Sequence, residues 1–337
     1  MDLLPTPEQD EIVATVRSQL VTDFDLHALA ASDGADVVVD AALWQRCAEL
    51  GWFGLGLAEE LGGVGYTLAE ETLLFAELGA HVTPGPFLAT VLGARVAAIG
   101  GADDVAAGIL SGTTTVALGE VESDGDGGTQ LRVSDHGGAD LVLVVGGNRV
   151  ELVDTTALDL RHEASIDLLV PLATADTPTV APVAALDGDA AADVILRGDV
   201  LVAAQLAGIA VGTAAQSTEY AQDRQQFGVA IGSFQAVKHR CADMAVRAEV
   251  ATSQVRLAAL ALLDGRDDAA FQCEAARVVA TDSAITNAHV NVLNHGGIGF
   301  TWEHTAHRYV TRAQVLSRTL GDRREHLRRL LEQPAPT

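Results

Sequence analysis

The sequence predicts an α+β protein in three successive parts: an N-terminal helical domain over 1–112, a small middle β-domain over 113–197, and a C-terminal four-helix bundle over 198–333. Three observations predict it. Apolar residues recur at helical spacing in the first and last parts but alternate in the middle one. Small side chains dominate the segments around 200–216, 245–262 and 269–288, and helices with alanine faces pack closely into antiparallel bundles. No strand–helix–strand alternation occurs, which excludes a doubly wound nucleotide fold.

In order along the chain, Pro7 followed by Glu8 and Glu11 marks a helix start, because proline fits the first turn and acids suit the positive helix end. Leu43, Cys47 and Leu50 share a helical face beside Trp44, and Gly51 ends that helix. Residues 61–67 form a glycine turn, Leu68–Leu78 resume a helix that Gly79 stops, and Pro84-Gly85-Pro86 breaks the chain before a helix at about 87–99. Strands are expected at Thr113–Val121, Leu131–Val133, Asp140–Val145 and Arg149–Val153. Gly146-Gly147-Asn148 is the hairpin turn, and Val180–Val183 and Asp193–Leu196 complete the set. From Gly198 the chain is helical again, with Val237, Cys241, Met244, Ala248 and Val255 on one stripe.

The chain has 337 residues and a formal net charge of −25. Nucleic acid is disfavoured as a partner, since phosphates need neutralising by Lys and Arg. The charge is uneven: 17 acids against 3 bases in 1–112, 15 against 3 in 113–195, and 14 against 15 in 196–337. Only the last part would not repel an anion. Lys238 stands alone against twenty arginines, whose forked donors suit phosphate and carboxylate, though such a bias also arises from genome composition. Cys47, Cys241 and Cys273 have no paired spacing, so neither a disulfide framework nor a zinc site is expected, and a reducing cytoplasm fits. The N-terminus lacks the basic and apolar regions of a signal peptide. The most apolar run, Val200–Ala215, falls short of the ~20 residues a membrane span needs.

Isolated motifs carry little. GGVGY and GGIGF are not dinucleotide loops and read as turns. His289, His295, His304 and His307 lack metal-ligand spacing, and no nucleophile motif is present. Asp223–His239 differs: Arg224, Gln226, Phe227 and Gln235 fall on a glycine-broken turn between two helices. From the residues alone that turn reads as a surface turn anchored by Phe227.

The same residues resemble a known family, the acyl-CoA dehydrogenases. LWQRCAELGWFGLGLAEELGGVGYT at 43–67 is similar to that family's N-terminal helical domain. DRQQFGVAIGSFQAVKHRCADM at 223–244 is similar to its Arg-x-x-Phe-Gly segment, and HGGIGFTWEH at 295–304 to its Gly-Gly segment. The resemblance implies an acyl-CoA dehydrogenase-like fold and an FAD shared at a subunit interface. Arg224 would reach the pyrophosphate, Gln226 and Phe227 would line the adenosine end, Gln235 would bond nearby, and Gly296 and Gly297 would let the backbone approach.

The departures define an expectation of their own. The family's catalytic Glu positions are occupied here by Leu320 and Gly198; Asp322 and Asp199 beside them are weak candidate bases, shorter and off register, and both are expected rather to be surface or cap acids. The stretches corresponding to the isoalloxazine contacts, 117–128 and 134–144, lack the family motifs, and Leu293 replaces a usual Gln, with Asn294 beside it. Residues donated to a neighbour's FAD are kept, and residues for the chain's own chemistry are missing. This resembles the short, non-catalytic subunit of actinobacterial α2β2 dehydrogenases of steroid side chains. The implied partners are a full-length acyl-CoA dehydrogenase subunit, an acyl-CoA substrate and an electron-transfer flavoprotein, with no metal, nucleic acid or membrane. A self-sufficient homomeric dehydrogenase and a non-enzymatic scaffold are the alternatives.

Overall fold

The computed structural model describes residues 3–24, 39–123 and 128–334. Of the stretch 117–128 singled out above, 124–127 lie outside the described residues. The helices among the described residues are α1 (Pro7–Asp23), α2 (Ala41–Glu49), α3 (Leu68–Ala80), α4 (Phe87–Ile99), α5 (Asp103–Leu110), α6 (Gly188–Asp223), α7 (Gln235–Leu263), α8 (Ala269–His295), α9 (Ala306–Leu316) and α10 (Arg323–Glu332). By packing, the chain forms two compact units: Met1–Ala28, Thr72–Thr83 and Asp199–Thr337 make one, and Leu29–Glu71 with Pro84–Gly198 make the other.

The second unit carries a seven-stranded sheet in the order β5-β6-β2-β1-β3-β4-β7. Its strands are β1 (Val116–Ser123), β2 (Thr129–Ser134), β3 (Leu141–Gly146), β4 (Arg149–Asp154), β5 (Arg161–Glu163), β6 (Leu172–Asp176) and β7 (Ala184–Asp187). Neighbours are antiparallel except β1 and β3, which run parallel with Val116 opposite Leu141. Alternation puts Ala117, Leu131, Val133, Val142, Val144, Val153 and Ala175 into one buried cluster. The opposite face meets α4, where a Cβ on Gly93 would lie 3.2 Å from Val116. The expected hairpin turn is present, with Gly147 at φ +58° between the paired residues Gly146 and Arg149.

Three expectations are corrected in this unit. Val180–Val183 is irregular, and the strand follows at Ala184–Asp187. Asp193–Leu196 is helical, inside α6. The β-branched pair Val194-Ile195 favours a strand locally, but Ala191, Val194 and Gly198 are all buried on one helical face, and that tertiary burial decides. The helix therefore begins at Gly188, not Gly198, and Gly198 is an interior residue of it.

The first unit is a bundle. Helix α6 is its centre, with Val200–Ala210 buried throughout. By length and composition α6 alone among the described helices could cross a membrane, yet 78% of its most apolar window is buried inside the protein. Helices α7 and α8 pack antiparallel through Met244, Ala248, Ala251, Val255 and Ala258 on one side and Cys273, Ala276, Ala280, Ala284 and Ala288 on the other. Asn287 ties three helices: its amide donates to the carbonyls of Ala210 at 3.0 Å and Met244 at 2.9 Å, and its oxygen accepts from Arg247 at 2.8 Å. Glycines let α3 and α6 touch backbone to backbone, since a Cβ on Gly208 would sit 1.9 Å from the Ala76 oxygen.

Candidate functional site

The segment between α6 and α7 is a small ribbon. Arg224 ends the α6 ladder, its amide donating to the Tyr220 carbonyl at 2.9 Å, and its own carbonyl accepts from Ile231 at 2.8 Å. β8 (Gln225–Gln226) pairs antiparallel with β9 (Val229–Ala230), joined by Phe227-Gly228. Both turn residues have positive φ, +53° and +78°, the pattern of a type I′ hairpin turn. That conformation is natural for Gly228 and uncommon for a phenylalanine. Phe227 is nonetheless 95% exposed, its ring 6.3 Å from Phe234 and edge-on to it. Arg224, Gln226 and Gln235 are exposed beside it.

The Gly296–Gly297 step follows α8. Gly296 has φ +65° and ψ −143°, a conformation essentially restricted to glycine. A Cβ on either glycine would meet nothing within 4 Å, so the backbone is open there. Phe300 and Trp302, 71% and 68% exposed, flank it with Leu293 and Ile298. The structure brings the two segments to one end of the bundle: the Tyr220 ring lies 4.2 Å from His295, and His295 lies 4.4 Å from His304. The loose histidine group of the sequence is thus partly a ring stack. His295 donates from Nδ1 to the Asn291 carbonyl at 2.8 Å, and burial holds it below the usual imidazole range.

The carboxylate positions behave differently. Leu320 is buried at φ +59°, followed by Gly321 at φ +116°. Asp322 caps α10, its Oδ1 accepting from the Glu325 amide at 2.9 Å, as expected of a cap acid. Asp199 corrects the expectation: it is neither surface nor cap but fully buried in α6. Its carboxylate lies 3.6 Å from Arg277, 3.8 Å from Arg329 and 3.9 Å from His326. His326 Nδ1 donates to Glu274 at 2.6 Å, while its Nε2 accepts from Arg277 Nε at 3.1 Å, which fixes a neutral ring. Asp199, Glu274 and His326 are grouped closely enough to ligate a metal, but two guanidiniums lie against the same carboxylates, which makes this an ion-pair cluster.

Burial pushes Asp199 up to about 6, raises Glu274 to about 7 and lowers His326 to about 4. Asp199 and Glu274 therefore favour the folded state most at low pH and lose that contribution as pH rises through 6 and 7; His326 acts oppositely, gaining between about 4 and 6.5. Replacing Asp199 by Asn isolates one component. The stability of Asp199→Asn relative to wild type should rise by about 2–4 kcal/mol between pH 4 and 6 and stay level above. Urea unfolding at each pH reads it, and a pH-independent difference would contradict the assignment.

Two features had no expectation in the sequence. One is this cluster. The other is a cavity of about 390 Å³ in the second unit, lined by Trp44, Gly85, Pro86, Asp135, Gly138 and Asp140.

Comparison with known proteins agrees with this architecture. Family models described as "Acyl-CoA dehydrogenase, N-terminal domain" and "Acyl-CoA dehydrogenase, C-terminal domain" match residues 6–115 and 190–333. The chain belongs to the acyl-CoA dehydrogenase family, a family of FAD-dependent oxidoreductases. It is 31% identical to acyl-CoA dehydrogenase IpdE2 of Mycobacterium tuberculosis, over 97% of this chain and 98% of that one. A variant of the Tcur3481-Tcur3483 steroid ACAD superposes with a TM-score of 0.85 at 26% identity, covering 96% of this chain and 97% of that one. The ChsE4-ChsE5 complex of M. tuberculosis shares the fold, with a TM-score of 0.83 at 24% identity over 99% and 100% of the two chains.

Proposed function

We propose that this chain is the partner subunit of a heteromeric, α2β2 acyl-CoA dehydrogenase that desaturates a CoA thioester at carbons 2 and 3. It contributes the pyrophosphate and adenosine half of an FAD site, and a full-length subunit contributes the catalytic Glu. One observation carries the reading. Both base positions are apolar, Leu320 and Gly198, and the neighbouring acids are committed, Asp322 to a helix cap and Asp199 to a buried ion cluster. Removal of the α-proton needs a base within hydrogen-bond reach of substrate, and a fully buried carboxylate cannot provide it. FAD, when bound, supplies the acceptor for the β-hydride.

The other half of the reading rests on what is exposed. Arg224 offers a charge-assisted fork to a diphosphate, in the one part of the chain that is not acidic. The bare Gly296–Gly297 backbone lets a ligand approach closely, and Phe227, Phe300 and Trp302 offer apolar area for a partner. The Tcur3481-Tcur3483 steroid ACAD, at 26% identity, supports a two-component assembly and a steroid-derived acyl group; an electron-transfer flavoprotein is the electron acceptor this reading assigns. In the complex coexpressed with its genomic neighbour, Arg224→Ala should lower FAD affinity about tenfold or more, the loss of one charge-assisted contact. Flavin absorbance per complex reads it, and full occupancy at low FAD would count against the role of Arg224.

A further inference from the structure

We infer that His295 is a positioning residue for the shared flavin site: its ring fastens the Arg224 ribbon to the Gly296–Gly297 step. The inference rests on the reading of those two segments as one half of that site, and it concerns a residue outside both of them. His295 is buried, with the Tyr220 ring 4.2 Å away and the His304 ring 4.4 Å away. Tyr220 lies in the last turn of α6, and its carbonyl accepts the Arg224 amide at 2.9 Å. His304 lies beyond the glycine step, where its Nδ1 accepts from the Ala306 amide at 3.1 Å. The stack thus spans the end of α6, the end of α8 and the turn after it.

A polar chain runs beside the stack and ties the same three places. Ser217 donates to the Asn291 oxygen at 2.7 Å, the Asn291 amide donates to Gln216 at 2.6 Å, and Gln216 donates to Thr305 at 3.0 Å. The Asn291 backbone carbonyl accepts His295 Nδ1–H at 2.8 Å, so ring and chain share one residue. His295 Nε2 has no hydrogen-bond partner among the described residues. The Nδ1 bond stays within α8, so it is the ring contacts with Tyr220 and His304 that join the segments, and a phenyl ring of similar shape should keep them while losing only that local bond. A Cβ added to Gly299 would lie 2.9 Å from the Val292 oxygen and 3.0 Å from the His295 Cβ, so the glycine segment packs closely on the end of α8 that carries the ring.

The test uses the coexpressed complex and FAD titration of its apo form, with native mass confirming assembly. His295→Ala, which removes both ring contacts, should raise the FAD dissociation constant about tenfold. His295→Phe, which keeps them, should stay within about threefold of wild type. In an Arg224→Ala background, His295→Ala should add less than about threefold, because the residue acts by placing Arg224. Wild-type affinity in His295→Ala, a Phe variant as weak as Ala, or a full additive loss in the Arg224→Ala background would each overturn the inference. If Arg224→Ala and His295→Ala both bind FAD normally, the underlying reading falls with it; if only Arg224→Ala is impaired, the inference alone falls.

Discussion

Replacing Arg277 by methionine should destabilise the protein by about 3–5 kcal/mol, among the largest effects of any single substitution. The guanidinium is fully buried. Its Nη2 donates to the carbonyls of Thr319 at 2.6 Å and Gly321 at 3.2 Å, and its Nε donates to His326 at 3.1 Å. Those carbonyls belong to the turn in which Leu320 and Gly321 both have positive φ, a conformation that needs its surroundings to hold it. Methionine fills most of the volume but leaves two carbonyls without a donor and removes the nearest cation from Asp199. Removing the charge on both sides should cost less than the single change implies. Arg277→Met with Asp199→Leu should recover part of the loss, and urea midpoints of the two variants read the coupling. Equal stability of Arg277→Met and wild type would contradict the role assigned to the cluster.

Gly208→Ala should cost about 3 kcal/mol, at the upper end of the range for overpacking. The sign is informative, because in an exposed helix the same change would stabilise by about 1 kcal/mol. Here the new Cβ would stand 1.9 Å from the Ala76 oxygen and 2.9 Å from the Ala80 nitrogen. Both are backbone atoms, so no rotamer change relieves the overlap and α3 must move away from α6. Gly93→Ala is the matched control: the nearest atoms to its Cβ would be side-chain methyls, of Val116 at 3.2 and 3.3 Å and of Leu152 at 3.5 Å, and the cost should be about 1 kcal/mol. Thermal unfolding of the two variants side by side distinguishes them, and similar melting points would refute the backbone-contact account.

Much of this architecture was legible in the sequence where local signals and packing agree. Gly51 and Pro84-Gly85-Pro86 punctuate the N-terminal helices, and the Gly147-Asn148 turn joins its two strands. Gly79, expected to stop its helix, instead lies inside α3 (Leu68–Ala80), where a Cβ would lie 2.0 Å from the Gln205 oxygen and the glycine serves close helix packing. The misassigned strand at Asp193–Leu196 shows the opposite case. Four residues ending a polar stretch carry a β-like composition, and only the burial of Ala191, Val194 and Gly198 on one side makes them a helix. The short strands β5 and β6 were not foreseen: the three exposed residues of β5 carry no alternation, and in β6 the buried positions are only the small residues Ala173 and Ala175, a weak strand signal.

At the candidate site, the ribbon and the glycine step were legible because each is contiguous in sequence. The stack of Tyr220, His295 and His304 and the cluster of Asp199, Glu274, Arg277 and His326 were not, because their members lie on different helices. One signal was available for the cluster. Glu274 and Arg277 sit one turn apart among the small residues Cys273, Ala276 and Ala280, on the face that a tight bundle must bury. A charge on such a face requires a partner from another helix.

On the function proposed above, this chain supplies half of a flavin site and none of the base. The most direct measurement is the flavin absorbance and acyl-CoA dehydrogenation rate of the chain expressed alone and coexpressed with its full-length neighbour, each with its native mass. The chain alone should be colourless and inactive, and the α2β2 complex yellow and active with one flavin per unlike pair. Yellow protein that turns over acyl-CoA from this chain alone would contradict that function.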